Sequence, residues 1–315
     1  MQKMSLKKAT ISGLIFLFAA LAGKALYGFS LRNQPSQKQT QDNKTLITTS
    51  FYPLYFLTKE ITGDRAEVIN LTKTGGEPHD YEPSTKDIMT IENSQLLIVN
   101  GAFFESWLGK FDNEINTNNK QILKVAENLA DLKFEEDGIL ETDSHVWLDP
   151  VLAQKEVELI NEKLKEIDPN NTKNYQENTE KLLQKLAELD NEFKLGLANC
   201  QNDKVITSHA AFAYLAKRYG FEQIAIQGLN PDEDPSPAKI AATTKLAREN
   251  NISYIFFETL VSPKISETIA KEIGAGTLVF NPIEGLSDEE EQSGENYFSI
   301  QRENLTSLRL ALNCQ

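Results

Sequence analysis

Two stretches in which strand-sized and helix-sized segments alternate flank one long helical stretch, and this arrangement constrains the fold more than any other feature of the chain. In the first stretch, apolar runs at 46–49, 66–71, 96–99 and 122–125 read as strands, and the segments following Tyr52, Ser84 and Phe103 read as helices. From about 150 to 198 the sequence becomes rich in Lys and Glu with helical periodicity, broken once at Asp168-Pro169-Asn170-Asn171, where Pro169 can open a second helix. Leu182, Leu183, Leu186, Leu189 and Phe193 give that second helix an apolar face, and it is long enough to bridge two lobes. Alternation then resumes, with strands predicted at 205–207, 223–226, 254–257 and 277–280 and helices near 210–219, 236–249, 262–273 and 297–312. Strand and helix in alternation imply parallel sheets. The predicted fold class is α/β: two lobes, each a small parallel sheet flanked by helices, joined by a long rigid linker helix.

The N-terminus reads differently. Lys3, Lys7 and Lys8 precede an apolar run from 11 to 23, with the small residues Gly23 and Ala25 at cleavage-like spacing, so residues 1–25 are expected to be a signal peptide or, uncleaved, an N-terminal anchor. No cysteine follows Leu21-Ala22-Gly23, which excludes lipid attachment there. Residues 30–44 are polar without apolar periodicity, and 26–44 is expected to be a flexible tether. The expected organisation beyond it is an N-terminal α/β lobe over 45–150, linker helices over 151–200 and a C-terminal α/β lobe over 201–315. Export to an oxidising compartment, periplasmic or otherwise extracytoplasmic, favours a disulfide between Cys200 and Cys314, the two cysteines of the chain. A formal net charge of −14 repels nucleic acid and anionic membrane surfaces, and no basic patch offsets it.

The chain holds three histidines, each at a predicted strand end or loop: Glu77-Pro78-His79-Asp80, Asp143-Ser144-His145-Val146 and Thr207-Ser208-His209-Ala210. Taken singly, a histidine is ordinarily a hydrogen-bonded structural group. Groups that bind ligands in parallel α/β sheets collect beyond the carboxyl ends of the strands, so these three can converge on one crevice. More than sixty residues separate each from the next, which means that folding, and not a local motif, assembles any site. Three neutral imidazoles with one carboxylate make a tetrahedral donor set suited to zinc, whereas manganese favours more oxygen ligands.

The segments GGEPHDYEPSTKDI, HVWLDP, SHAAFAYLAKRYG with the downstream GLNPDEDPSPAKI, and FNPIEGL resemble the signature segments of metal-specific solute-binding proteins of ABC importers. That family includes zinc and manganese receptors and zinc-binding surface adhesins, and the resemblance runs from about Thr45 to the C-terminus. It implies that His79, His145 and His209 are metal ligands. Manganese-selective members usually carry a glutamate at the third position, so His209 favours zinc, with manganese the alternative. The fourth ligand is matched by Glu284, although some zinc receptors use water there, and Glu258 at a strand end could instead orient an imidazole. Glu77 and Asp80 flank the first histidine and either attract the cation or are plain surface charges. Many zinc receptors also carry a long His-rich loop before HVWLDP. The matching residues 134–143 contain no histidine and read as an ordinary acidic loop, as does the acidic run 287–291. Trp107, Trp147, Phe103, Phe104, Tyr81 and Phe212 read as packing residues.

The residues and the resemblance together imply a monomeric extracytoplasmic receptor that delivers zinc to an ABC transporter permease. A zinc-binding adhesin would keep the same site with another partner. A zinc hydrolase is the rival from another class, but the sequence has neither an H-E-x-x-H helix nor a G-x-S-x-G nucleophile motif, so no enzymatic activity is expected. A rigid linker predicts modest movement on metal release.

Overall fold

The computed structural model describes residues 44–110, 121–136, 138–231 and 233–315, which fall in one compact unit from Lys44 to Gln315. The expected signal or anchor, and the tether up to residue 43, lie outside the described residues.

Strands β1 (Thr45–Thr49), β2 (Ala66–Asn70), β3 (Leu96–Val99) and β4 (Gln121–Lys124) form a parallel sheet in the order β2-β1-β3-β4. All four side chains of the Leu-Leu-Ile-Val strand β3 are buried, as befits a parallel strand covered on both faces. Helix α1 (Tyr52–Thr62) starts with Pro53 in its first turn, where the missing N–H costs nothing. A capping box opens α2 (Thr85–Asn93): the Asp87 N–H donates to the Ser84 hydroxyl, and the Asp87 carboxylate accepts from the Ser84 N–H. Of the helix predicted after Phe103, only 108–110 are helical among the described residues.

The predicted acidic loop at 134–143 is instead part of a hairpin, β5 (Lys133–Glu136) paired antiparallel with β6 (Ile139–Thr142) and turning at Gly138, whose φ of 80° suits a glycine. Two helices follow, α3 (Pro150–Ile167), capped by Asp149, and α4 (Thr172–Gly196). The break between them falls at Asp168-Pro169, as predicted. Helix α4 has 25 residues, roughly 37 Å, and buries Tyr175, Thr179, Leu182, Leu186, Leu189 and Phe193 along one stripe.

The second sheet contains β7 (Lys204–Thr207), β8 (Glu222–Ala225), β9 (Tyr254–Phe257) and β10 (Gly276–Val279), again parallel, in the order β10-β9-β7-β8. Helices α5 (Ala213–Tyr219), α6 (Pro237–Glu249), α7 (Lys264–Ile273), α8 (Asp288–Ser293) and α9 (Tyr297–Ala311) complete the chain. The acidic run at 287–291 is thus not a loop, because a capping box between Ser287 and Glu290 nucleates α8 there. Taken from β8, the second sheet repeats the order of the first, and each has a topological switch point beside its first strand.

A single apolar cluster joins the two sheets through α4, running from Ile47 and Leu54 by way of Tyr175, Leu186 and Phe193 to Val205, Phe256 and Phe280. Cys200, just beyond α4, is disulfide-bonded to Cys314, just beyond α9, as the sequence led us to expect. The predicted fold class therefore holds: two parallel sheets flanked by helices, with a long helix between them.

Candidate metal centre

Each histidine sits beyond the carboxyl end of a strand. The loop after β2 carries His79, whose N–H donates to Glu77 Oε1 at 3.1 Å while its ring lies edge-on to Phe104 with centroids 4.7 Å apart. The segment between the hairpin and α3 carries His145. Its N–H and its Nδ1 both meet Asp143 Oδ1, at 2.9 and 2.8 Å. Directly after β7 comes His209, with Nδ1 2.7 Å from Glu258 Oε1, an oxygen that the Ser208 hydroxyl also contacts. The backbone carbonyl of His209 accepts from the Thr207 hydroxyl and from Gln223 Nε2, each at 2.8 Å, so both the ring and the main chain of this residue are fixed.

The fourth group comes from the loop after β10. Glu284 Oε1 lies 3.2 Å from His79 Nε2, 3.3 Å from His145 Nε2 and 3.4 Å from His209 Nε2. One donor atom from each of the four residues falls within 4.8 Å of every other. Because Asp143 and Glu258 occupy the Nδ1 side of their imidazoles, each ring in its neutral form keeps its proton on Nδ1 and turns the Nε2 lone pair to the common point. His145, His209 and Glu284 are sealed, while His79 keeps 9% side-chain exposure.

The backbone before Glu284 is held in an unusual conformation. Ile283 has a φ of 59°, in the left-handed region that a β-branched residue rarely occupies, and its side chain is fully buried. Strain of this kind, on the order of 1–3 kcal/mol, persists only where the surroundings over-determine it. They do so here. The Ile283 N–H donates to Asn281 Oδ1 at 2.6 Å, Asn281 and Asn304 exchange two hydrogen bonds of 2.8 and 2.7 Å, and Trp147 Nε1 donates to the Pro282 carbonyl at 2.8 Å. Trp147 stands two residues after His145, so this bond also ties the His145 segment to the Glu284 loop. On the other side of that loop, the Gly75 N–H donates to the Leu286 carbonyl at 2.7 Å and links it to the His79 loop.

Burial and charge pull these groups in opposite directions. Burial favours neutral His145 and His209, yet their carboxylate partners outweigh it: Asp143 and Glu284 raise His145, and Glu258 and Glu284 raise His209 well above the usual imidazole range. His79, with no carboxylate on Nδ1 among the described residues, is held below that range by burial. The imidazoles around Glu284 overcome its burial and keep it well below the usual carboxylate range. Burial, and next the charge of Glu284, push Glu77 up to about 9.

A model of the family described as zinc-uptake complex component A, periplasmic, matches residues 47–311. The chain belongs to this family. Among its relatives, the high-affinity zinc uptake system protein ZnuA of Bacillus subtilis is 35% identical over 312 residues, covering 96% of this chain and 97% of the relative. The zinc-binding lipoprotein AdcA of Streptococcus pneumoniae is 38% identical over 87% of this chain, which spans 57% of AdcA, just over half its length. The Zn(II)-bound ZnuA-like domain of S. pneumoniae AdcA superimposes with a TM-score of 0.75 at 37% identity, covering 86% of this chain and 99% of that one. A laminin-binding protein of Streptococcus agalactiae, described as bifunctional with adhesin and metal-transporting activity, matches at a TM-score of 0.76 and 29% identity over 85% of this chain and 99% of that one.

The structure brings together His79, His145, His209 and Glu284, and it puts Glu258 on His209 and not on the common point. Asp80 is exposed, whereas Glu77 turns inward. Phe103 is not a packing residue: it is 90% exposed, because φ values of 51° at Ala102 and 72° at Phe103 turn it outward and leave Phe104 against His79. Sequence reasoning passed over Asp143. The signal was there, as a carboxylate two residues before a candidate ligand can reach back to its ring.

Proposed function

We propose that the chain is an extracytoplasmic receptor that binds one zinc ion through His79, His145, His209 and Glu284 and hands it to an ABC-type importer in the membrane. The observation that carries this reading is the approach of three imidazole Nε2 atoms to a single carboxylate oxygen at 3.2, 3.3 and 3.4 Å. Three nitrogens and one oxygen form a tetrahedral, borderline-soft set that suits zinc better than manganese. A hydrolase must keep one metal position open for water, whereas the proposed set gives all four corners to protein donors, which favours capture over catalysis.

Capture replaces the ion's hydration shell with neutral imidazoles and an ionised carboxylate, and it competes with protons for the imidazole nitrogens. With the lobes at 45–150 and 201–315 spanned by the linker at 151–200, hand-over proceeds through local movement of ligand loops and not through wide hinge opening. The receptor acts as a monomer. The S. agalactiae neighbour makes adhesion the second reading, with the same metal site and a different partner.

Metal analysis of protein purified without added metal, followed by calorimetric titration with zinc and with manganese, tests the assignment. The expected result is one tightly held zinc per chain and much weaker manganese, and stoichiometric manganese overturns it. A deletion strain that fails under zinc limitation and recovers with added zinc separates import from adhesion.

A further inference from the structure

Tyr214 lies five residues beyond His209, near the start of α5, and its phenol reaches across to the segment that carries His145. The hydroxyl accepts from the Leu132 N–H at 3.0 Å and donates to the Asp143 carbonyl at 2.9 Å, while the Asp143 N–H donates to the Leu132 carbonyl at 3.1 Å. One oxygen thus closes both feet of the β5–β6 hairpin, and the main chain of Asp143 is held at its N–H and at its C=O. The side chain of the same aspartate takes both the N–H and the Nδ1 of His145. The ring of Tyr214 is buried against Ala102, Ala126 and Val146, the last of these adjoining His145.

We propose that the Tyr214 hydroxyl is a positioning group for the metal centre: it pins Asp143 and so keeps His145 Nε2 aimed at the point that His209 also faces. This role rests on the zinc-receptor reading. The physical case is one of leverage. Without the hydroxyl, the Leu132 N–H and the Asp143 carbonyl lose their partner, and Asp143 turns to recover one. The imidazole then loses the contact that fixes its proton on Nδ1. Partners of this kind behind a ligand typically change metal affinity by about 10–100-fold. The bond also joins the segments of two ligands, because a residue of the His209 helix holds the residue that orients His145. Substitution by phenylalanine keeps the buried ring and removes only the oxygen.

The test compares the wild type, Tyr214→Phe, Asp143→Ala and the double variant, each loaded with zinc and mixed with excess chelator while zinc release is timed. Tyr214→Phe is expected to release zinc roughly tenfold faster, and less than about twofold faster when introduced into Asp143→Ala. Wild-type release rates in Tyr214→Phe, or the same acceleration in both backgrounds, overturn the proposal, since a merely structural tyrosine acts independently of Asp143. A second readout needs no metal. In the metal-free protein, the nitrogen resonances of the His145 ring are expected to move toward a mixed tautomer in Tyr214→Phe, with faster exchange of the Leu132 amide. Faster amide exchange with an unchanged His145 ring overturns the proposal as well. A wild type that holds no zinc defeats the receptor reading, yet leaves this second readout standing.

Discussion

The two sheets present the same backbone frame at their switch points and fill it with different chemistry. After β1 the chain reads Thr49-Ser50-Phe51, and after β7 it reads Thr207-Ser208-His209. Leu71 N–H to Thr49 O and Ile226 N–H to Thr207 O are both 2.9 Å, and Thr72 N–H to Ser50 O and Gln227 N–H to Ser208 O are 3.1 and 2.8 Å. In each half the serine hydroxyl meets a buried carboxylate, Glu105 at 2.7 Å in the first and Glu258 in the second. The next residue is where they part. Phe51 packs on Phe104 and Trp147, with ring centroids 4.6 and 4.7 Å away, and so lines the apolar wall behind His79 and His145. His209 takes the matching place and points Nε2 at the Glu284 oxygen that His79 and His145 also face. Fold topology supplies the position, and one side chain decides whether that position walls the cluster or takes part in the proposed metal site.

Truncating the matched pair puts the greatest load on this division between wall and ligand. Phe51→Ala removes a fully buried ring from the continuous core and is expected to cost about 3–5 kcal/mol of unfolding free energy in urea titrations of the metal-free protein. His209→Ala is expected to act on the metal. If roughly 10–16 kcal/mol of zinc binding is shared among four donors, losing one weakens binding by on the order of 10²–10³-fold. A urea midpoint unmoved by Phe51→Ala, or tight zinc binding retained by His209→Ala, removes the contrast.

How far these roles could be read from the sequence depends on the range of the interactions behind them. The strands at 96–99 and 254–257 and the break at Pro169 are written in local patterns, and the structure reproduces them. The three histidines were legible because they are scarce and share a topological setting. Glu284 came through the resemblance of its segment. The hairpin at 133–142 escaped because Lys133-Phe134-Glu135-Glu136 has one apolar residue and no alternation to set against its acidic composition, and its feet are secured by a tyrosine far along the chain. Phe103 was misplaced because hydrophobicity carries no record of the three successive positive φ angles at Gly101, Ala102 and Phe103. Nor could any sequence pattern reveal that Glu105 and Glu258 occupy comparable places.

The carboxylate behind the ligand comes next in size. Glu258→Gln keeps a partner for the His209 ring but withdraws the charge that, with Glu284, raises that imidazole against the pull of burial. Zinc affinity is expected to fall about 10–100-fold. The sign of its pH dependence comes from competition with protons: an imidazole raised in the metal-free state must lose its proton to bind, so wild-type affinity climbs with pH. With Glu258 neutralised, His209 surrenders its proton more readily. The deficit of the variant is therefore expected to be widest on the alkaline side and to narrow toward acid. Competition titrations across pH measure this, and a deficit that widens toward acid contradicts the role given to Glu258.

The smallest effect belongs to Glu105, which shares the serine contact of Glu258 but has no imidazole to orient. Its oxygens accept from the Ser50 hydroxyl and the Asn100 N–H, both at 2.7 Å, and from the Gly101 N–H at 2.9 Å, which holds the turn that leads to Phe104. Burial raises this carboxyl although all three donors pull the other way. A carboxyl raised in the folded state contributes stability that is fully present below its unfolded value of about 4.3 and is lost as pH rises through the folded one. Glu105→Gln is accordingly expected to leave zinc affinity within about twofold of wild type and to change stability by about 1 kcal/mol. It is also expected to flatten the decline of the melting temperature as pH rises above the unfolded value. A variant that loses zinc as Glu258→Gln does would mean that the first half also steers the metal through its carboxylate, and the division between wall and ligand would have to be redrawn.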